Sequence, residues 1–479
     1  MRALDAIKRL VSRKNLLGDV MALAGGTAVS QGLIIVSSPL LTRLYTPADF
    51  GILAVYASIL GIFSVIASLR YEFAIPIADN DSDATNLLAL SFVLVALFSL
   101  FVTAVVVLWG KSLAAWGNVA QMEPYLWLIP VGILAIGILQ AVNYWYTRQK
   151  SFSHLGIAKT LQSASQVFLQ AAAGLGSLGA VGLVAGHALG RAAAAVYLLK
   201  RLKVKPKRIS LGALRYVAYR YRKFPLYTAW ASLINVVGTQ APAIMFTKLF
   251  SPEAAGLFSL TVRILSLPAA LIGQAIGQAI YPRLAERDRG DGDASRMIGD
   301  TAIVLVMIAF PIFAFIGAFG PPIFATLFGN EWRQAGLYAR YMSPWLFLAF
   351  VSSPLSMFVF VKEKQGVAFA LTLYETTLRL GSIWLGKLLG SPGWSVGLYS
   401  IAGTIISFIY LVWVFYLADL SVMKWLEKYK LYFASMLGVL AITIILSAKG
   451  GVVAISISLV LLSVHMWLAI RRYGRVFYG

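Results

Sequence analysis

The chain has 479 residues, 59% of them hydrophobic and 13% charged, and its 41 Lys/Arg outnumber 19 Asp/Glu for a net charge of +22. A chain this apolar is not a soluble globular protein. Runs of about 18 or more apolar residues, each enough for a bilayer core of about 30 Å, recur along it with short loops between. There is no cysteine, which excludes disulfides, thiolate metal sites and thiol nucleophiles.

In chain order, a basic leader comes first. Within it Leu4, Ile7, Leu10 and Val11 alternate with Lys8, Arg9 and Arg13 at helical spacing, which suits either a short in-plane helix on anionic lipid or a disordered leader. The apolar run that follows is too long for the h-region of a signal peptide. About fourteen candidate spans succeed one another, near 17–42, 50–69, 84–109, 124–147, 153–174, 178–199, 224–248, 254–281, 298–319, 337–361, 366–386, 395–417, 430–447 and 450–470. With an even number, both ends lie on one side. That side takes Arg2, Lys8, Arg9, Arg13 and Lys14, the cluster from Lys200 to Lys223, Arg283 to Arg296, and Arg471 to Arg475. About 30 Lys/Arg fall there, about seven opposite and about four within spans, an asymmetry that predicts both termini in the cytoplasm. The excess charge is therefore topological, and nucleic acid is not an expected partner.

A ten-residue phrase occurs twice. Thr42-Arg43-Leu44-Tyr45-Thr46-Pro47-Ala48-Asp49-Phe50-Gly51 returns as Thr247-Lys248-Leu249-Phe250-Ser251-Pro252-Glu253-Ala254-Ala255-Gly256. Each copy ends an apolar run at a cation, turns at Ser/Thr-Pro and begins a new run after Gly, as a transporter built from two duplicated helix bundles would. Other features repeat in step. The pairs Arg13-Lys14 and Arg222-Lys223 precede each half. Acidic loops follow each second span, Asp79-Asp81-Asp83 and Glu286-Asp288-Asp291-Asp293. Tight basic turns join the fourth and fifth spans, Arg148-Gln149-Lys150 and Lys362-Glu363-Lys364. Six spans per half predict parallel repeats. The expected organisation is a basic cytoplasmic leader (1–14), an N-terminal six-helix bundle (15–200), a basic cytoplasmic linker (201–223), a C-terminal six-helix bundle (224–417), and an extra two-helix hairpin with a basic tail (418–479).

The duplicated corner, together with the longer run Leu40–Asp79 containing Ser68-Leu69-Arg70-Tyr71-Glu72-Phe73-Ala74-Ile75-Pro76, resembles the polysaccharide transporter branch of the multidrug/oligosaccharidyl-lipid/polysaccharide (MOP) exporter superfamily. The resemblance in topology covers nearly the whole chain. It implies an all-α polytopic membrane protein similar to the MATE exporters, with two bundles enclosing a cavity that opens alternately to each side. It implies a flippase in the bacterial inner membrane for undecaprenyl-diphosphate-linked oligosaccharide units, as in O-antigen, capsule or exopolysaccharide synthesis. Polysaccharide polymerase and chain-length proteins would be its partners.

A flippase breaks no bond, so its chemistry is recognition. A diphosphate in hydrocarbon needs fixed cations, and a charge at a helix centre costs about 2.5–3.5 kcal/mol, so cations within spans mark a cavity by default. Arg263 lies well inside the eighth span. On a straight helix Gln274 and Gln278 follow it at about 20° and 60° around the axis, on one face, and Pro268 between them is a kink site. Its guanidinium fork suits a diphosphate; the structural alternative is pairing with Asp19 or backbone carbonyls. The fifth span carries a stripe of Lys159, Ser163, Gln166 and Gln170, with Gln162 beside it. Cavity lining and helix-packing hydrogen bonds both fit the amides. Gln140, Asn143 and Thr147 make a weaker stripe on the fourth span. Arg379 in the eleventh span follows Glu375 by four residues, spacing for either an intrahelical ion pair or a substrate contact. Arg191 follows Gly182, Gly186 and Gly190, small residues suited to close packing, and either snorkels or contacts substrate.

An exporter driven by an H⁺ or Na⁺ gradient needs a carboxylate to bind the ion, and Asp19, Glu375 and Glu72 are the candidates. Asp19 fits equally as a first-turn residue favoured by the helix dipole. No cofactor is called for, and enzyme signals are weak. Asp79-x-Asp81-x-Asp83 lacks the Gly and the final Glu of an EF-hand. His154, His187 and His465 lack zinc spacing, and no Walker phosphate loop is present. Rival functions are a multidrug/cation antiporter, a peptidoglycan-precursor flippase and, more distantly, a membrane glycosyltransferase or polymerase. The first would want acidic residues in its cavity. The last would want a large external segment, and the longest here, near 320–336, carries only Glu331 and Arg333 as charges.

Overall fold

A computed structural model describes residues 25–473 except 117–122, 124, 205–208, 274–275, 278–279, 282–283, 285 and 288–293. Among the described residues the structure is helical, with no strand. The helices are α1 (25–44), α2 (Pro47–Ala67), α3 (Asp81–Trp116), α4 (Leu128–Arg148), α5 (Phe152–Leu175), α6 (Ala180–Lys200), α7 (Leu211–Arg220), α8 (Ala229–Leu249) and α9 (Pro252–Leu265). They continue as α10 (Ala294–Phe328), α11 (Arg333–Leu355), α12 (Met357–Val361), α13 (Gln365–Leu388), α14 (Pro392–Leu417), α15 (Val422–Lys428), α16 (Lys430–Lys449) and α17 (Gly451–Tyr473). Among the described residues ten stretches are long and apolar enough to cross a bilayer. The first, fifth, eighth and eleventh expected spans are not among them. The first reaches into residues not described, α5 and α13 are long but too polar, and the eighth is interrupted after α9. The protein is a multi-pass membrane protein.

The chain divides into two compact units, one ending at Gly256 and the other beginning at Leu257. The packing boundary falls inside α9 and not at the basic linker, because α8 packs on α2.

In the first unit the repeated corner proves to be a helix start. Thr46 caps α2 through its Oγ1, which accepts from the Asp49 amide at 3.2 Å, while Asp49 Oδ2 accepts from the Thr46 amide at 2.9 Å. With Pro47 in the first turn this is a full capping box. Ser251 repeats half of it, its Oγ accepting from the Ala254 amide at 3.1 Å; Ala254 has no carboxylate to return the bond. The corner glycines allow a close crossing. A Cβ on Gly51 would stand 1.7 Å from the Pro252 carbonyl oxygen, and one on Gly256 would stand 1.8 Å from the Pro47 oxygen. Neither position admits a side chain without moving backbone.

Between α2 and α3 runs a 3-10 segment, Tyr71–Ile77. Arg148, at the end of α4, gathers the carbonyls at the end of this segment. Nη1 lies 2.8 Å from Ala78 O, 3.2 Å from Ile75 O and 3.4 Å from Pro76 O, and Nη2 donates to Asp81 Oδ1 at 3.1 Å. Tyr71 OH donates to Ala218 O of α7 at 2.9 Å, and Arg220 pairs with Asp79 at 3.3 Å. The first acidic loop therefore ties α4 and α7 to this end of the unit.

In the second unit α10 kinks at Phe319, just before Pro321 and Pro322. Two prolines lack the N–H groups that would bond the carbonyls four residues back. Arg340 of α11 supplies them: Nε donates to Gly317 O at 3.0 Å and Nη2 to Ala318 O at 2.8 Å. The hairpin α16–α17 rests on α10 through Phe310, Ala314 and Leu462. The Trp425 ring of α15 donates to Gly299 O at 2.9 Å.

Candidate functional site

Asp19, Gln274 and Gln278 lie outside the described residues. The others fall into separate groups, described here within each unit.

In the first unit α5 meets α1 so closely that a Cβ on Gly26 would stand 2.4 Å from the Gly156 Cα. The approach lets Lys159 Nζ donate to Thr27 Oγ1 at 2.9 Å. Lys159 is otherwise exposed. The rest of the polar stripe turns towards α6. Gln170, 2% exposed, donates through Nε2 to Leu183 O at 2.8 Å, and its own carbonyl accepts from Tyr45 OH at 2.6 Å. Gln166 is buried against Gly190, and Gln170 fills the space beside Gly186. Small residues on α6 and amides on α5 thus interlock, and the Ser163 hydroxyl bonds back to Lys159 O. Asn143 is half-buried on α4, its carbonyl accepting from Thr147 Oγ1 at 2.8 Å. Arg191 is half-buried and turned back along its own helix, Nη1 donating to His187 O at 3.2 Å. Glu72 is wholly buried in the 3-10 segment.

In the second unit Arg263 occupies the last turn of α9. The residue is half-buried, and its guanidinium has no hydrogen-bond or ion-pair partner among the described residues. The straight helix assumed beyond it is interrupted: α9 ends at Leu265, and after Pro268 the backbone widens into a π turn, Ala269–Gly273. A proline removes one N–H and crowds the preceding turn. Arg379 is held on several sides. Nη1 bonds Glu375 Oε1 at 2.8 Å, Nη2 bonds Tyr399 OH, and the guanidinium lies 4.2 Å from the centroids of both the Trp345 and Tyr399 rings. The intrahelical pair allowed by the spacing is formed, so this cation is locally neutralised.

No cluster of three His, Asp or Glu able to hold a metal occurs among the described residues. Two arginines escaped notice as site-shaping groups. Arg340 closes the carbonyls freed by two prolines, and Arg148 binds the carbonyls that end the 3-10 segment. For Arg340 the signal was available: Pro321-Pro322 announce orphan carbonyls that need a donor from elsewhere.

The architecture is similar to a lipid II flippase, MurJ, in an inward closed conformation, with a TM-score of 0.73 over 96% of this chain and 99% of that one at 11% identity. A multidrug resistance MATE family transporter of the MOP superfamily, inward-facing, gives a TM-score of 0.58 at 16% identity over 83% of this chain and 94% of that one. The fold is similar to that of these two transporters. A family profile described as "Polysaccharide biosynthesis protein" matches residues 40–337. The chain belongs to that polysaccharide biosynthesis family. The amylovoran biosynthesis protein AmsL of Erwinia amylovora is 24% identical over 118 residues, and the match spans 25% of this chain and 30% of that relative.

Proposed function

We propose that the protein is a flippase that carries undecaprenyl-diphosphate-linked oligosaccharide units from the cytoplasmic to the periplasmic leaflet of a bacterial inner membrane by alternating access, for O-antigen, capsule or exopolysaccharide synthesis. Both termini face the cytoplasm in this reading. Family membership across residues 40–337 carries it, and the intramembrane charge supports it. Lys159 and Arg263 have no carboxylate partner among the described residues, whereas the acid Glu375 is consumed by Arg379. Cations left with net charge in a low-dielectric setting favour an anionic cargo. Arg263 is assigned to the diphosphate, with Lys159 as a second contact.

The test is deletion of the gene in its host, followed by extraction of lipid-linked intermediates. Accumulation of a diphosphate-linked oligosaccharide with loss of surface polysaccharide is expected and identifies the cargo. Normal polysaccharide with new sensitivity to cationic drugs would overturn the reading in favour of an antiporter. Complementation by Arg263→Ala or Arg263→Lys is expected to restore membrane expression without restoring export. Wild-type export in both would remove Arg263 from the site.

A further inference from the structure

The linker helix α7 has two unlike faces. Ser210 starts it, its Oγ accepting from the Ala213 amide at 3.2 Å, and Val217, Ala218 and Tyr221 join a buried cluster with Tyr71, Ile75 and Leu87. Two polar contacts fix that side further: Tyr71 OH donates to Ala218 O at 2.9 Å, and Arg220 pairs with Asp79 at 3.3 Å. The other face is open. Leu211 is 85% exposed, Tyr219 70% and Tyr216 55%, with Gly212 and Arg215 exposed among them. At 3.6 residues per turn these five fall within about 140° of the helix surface.

Large apolar and aromatic side chains exposed together mark a surface that meets something, and position says what. The ten residues of α7 make a helix of about 15 Å, about half of what a bilayer crossing needs. Yet α7 cannot leave the membrane surface. A tether of three residues, reaching at most about 14 Å, joins Arg220 to the spanning stretch that begins at Phe224, and α7 packs against α3, which holds another. The exposed aromatics run on into the first of these through Tyr227 and Trp230. Tyrosine and tryptophan at such a level are side chains of the headgroup region, apolar at one end and wet at the other.

Charge selects the headgroup. From Lys200 to Lys223 the sequence has ten Lys/Arg and no Asp or Glu. Arg220 is paired with Asp79, whereas Arg215, Arg222 and Lys223 are exposed and have no carboxylate partner among the described residues. The Arg222 guanidinium lies 4.0 Å from the Tyr219 ring centroid. Stacked there, it keeps its N–H edge free for a phosphate. A soluble polyanion would satisfy these cations but leave Leu211, the most exposed of the set, in water. An anionic membrane surface satisfies both kinds of side chain.

We infer that the open face of α7, with Arg222 and Lys223, is a binding surface for anionic phospholipid headgroups. Leu211, Tyr216 and Tyr219 enter the interface, and Arg215, Arg222 and Lys223 hold the phosphates. Lipid seated there braces the first acidic loop through the contacts of α7 with Tyr71 and Asp79. The surface needs no cargo and stands or falls apart from the flippase reading; only its assignment to the cytoplasmic leaflet rests on that reading.

The chain has no cysteine, and a Cβ on Gly212 would meet nothing within 4 Å, so Gly212→Cys places a spin label on the open face of the full chain. In nanodiscs of phosphatidylcholine with phosphatidylglycerol the label should be shielded from a water-soluble nickel chelate and accessible to oxygen. Shielding no greater than in phosphatidylcholine alone would overturn the inference. Binding is read by titrating the detergent-solubilised protein with fluorescent phosphatidylglycerol. Each cation near an anionic surface contributes about fivefold. Arg215→Gln, Arg222→Gln and Lys223→Gln together should therefore weaken binding on the order of a hundredfold, with helicity by circular dichroism unchanged. Lys223→Gln alone should weaken it about fivefold if the triple variant does not fold. Equal affinity in parent and variants would overturn the surface. Shielding that appears only when polyglutamate or RNA is added would overturn it in favour of a soluble partner.

Discussion

Helices α5 and α13 occupy the same place in the duplicated order, the fifth span of each half, and they solve one problem in opposite ways. Each brings a cation into a polar helix. On α13 the charge of Arg379 is cancelled by Glu375 one turn away and enclosed by Trp345 and Tyr399. On α5 the Lys159 ammonium bonds the Thr27 hydroxyl and, among the described residues, no carboxylate. A hydroxyl orients a cation without neutralising it. Under the proposed function, the difference separates a charge that holds a structure together from one assigned to the cargo.

The largest effect should come from α13. Arg379→Ala strips Glu375 of its partner, and after allowing for the pair's partial exposure we expect a loss of about 2–3 kcal/mol in unfolding free energy in detergent. Replacing both residues by Leu should bring stability back to within about 1 kcal/mol of the parent, because the pair then leaves no lone charge. If Arg379→Ala is as stable as the parent, the contrast between the helices collapses. Next is Lys159→Gln, which keeps a donor for Thr27 and removes the charge. Export should fall about tenfold, equivalent to about 1.4 kcal/mol, with stability changed by less than about 0.5 kcal/mol. A larger stability loss than export loss would make Lys159 structural too. Gln170→Leu ranks third: losing its bond to Leu183 O should cost about 1 kcal/mol, with export unchanged, since this amide is committed to α6. Reduced export at full stability would return the α5 amides to the cargo path.

Much of this contrast was visible in the residues and part was not. Glu375 and Arg379 lie four apart on one helix, so their pairing depends on local geometry that sequence spacing reports. The stripe of Lys159, Ser163, Gln166 and Gln170 was also real, but a shared face does not reveal which neighbour that face meets. Gly186 and Gly190 held the missing information: small residues at four-residue spacing on the next helix were the surface the amides pack into. Apolar runs located ten of the fourteen expected spans among the described residues, yet they are blind to an interruption such as the π turn after Pro268. They are equally blind to the contribution of Arg340, which depends on a kink in another helix. The duplicated phrase announced its repetition; that its two glycines would meet each other's prolines is a three-dimensional fact.

The smallest expected effect bears most directly on how α5 holds its charge. Thr27→Val keeps the shape of the side chain and deletes the acceptor of the Lys159 bond. Lys159 is exposed, so water or a lipid phosphate can replace the hydroxyl, and the loss should stay below about 0.5 kcal/mol in stability and about twofold in export. An ammonium acts as a compact point charge and tolerates changes of partner in a way a planar guanidinium does not. If Thr27→Val instead reduces export as much as Lys159→Gln, the aim of the ammonium matters as much as its charge. The hydroxyl of α1 would then be a positioning group, and α5 would resemble α13 in requiring a fixed geometry.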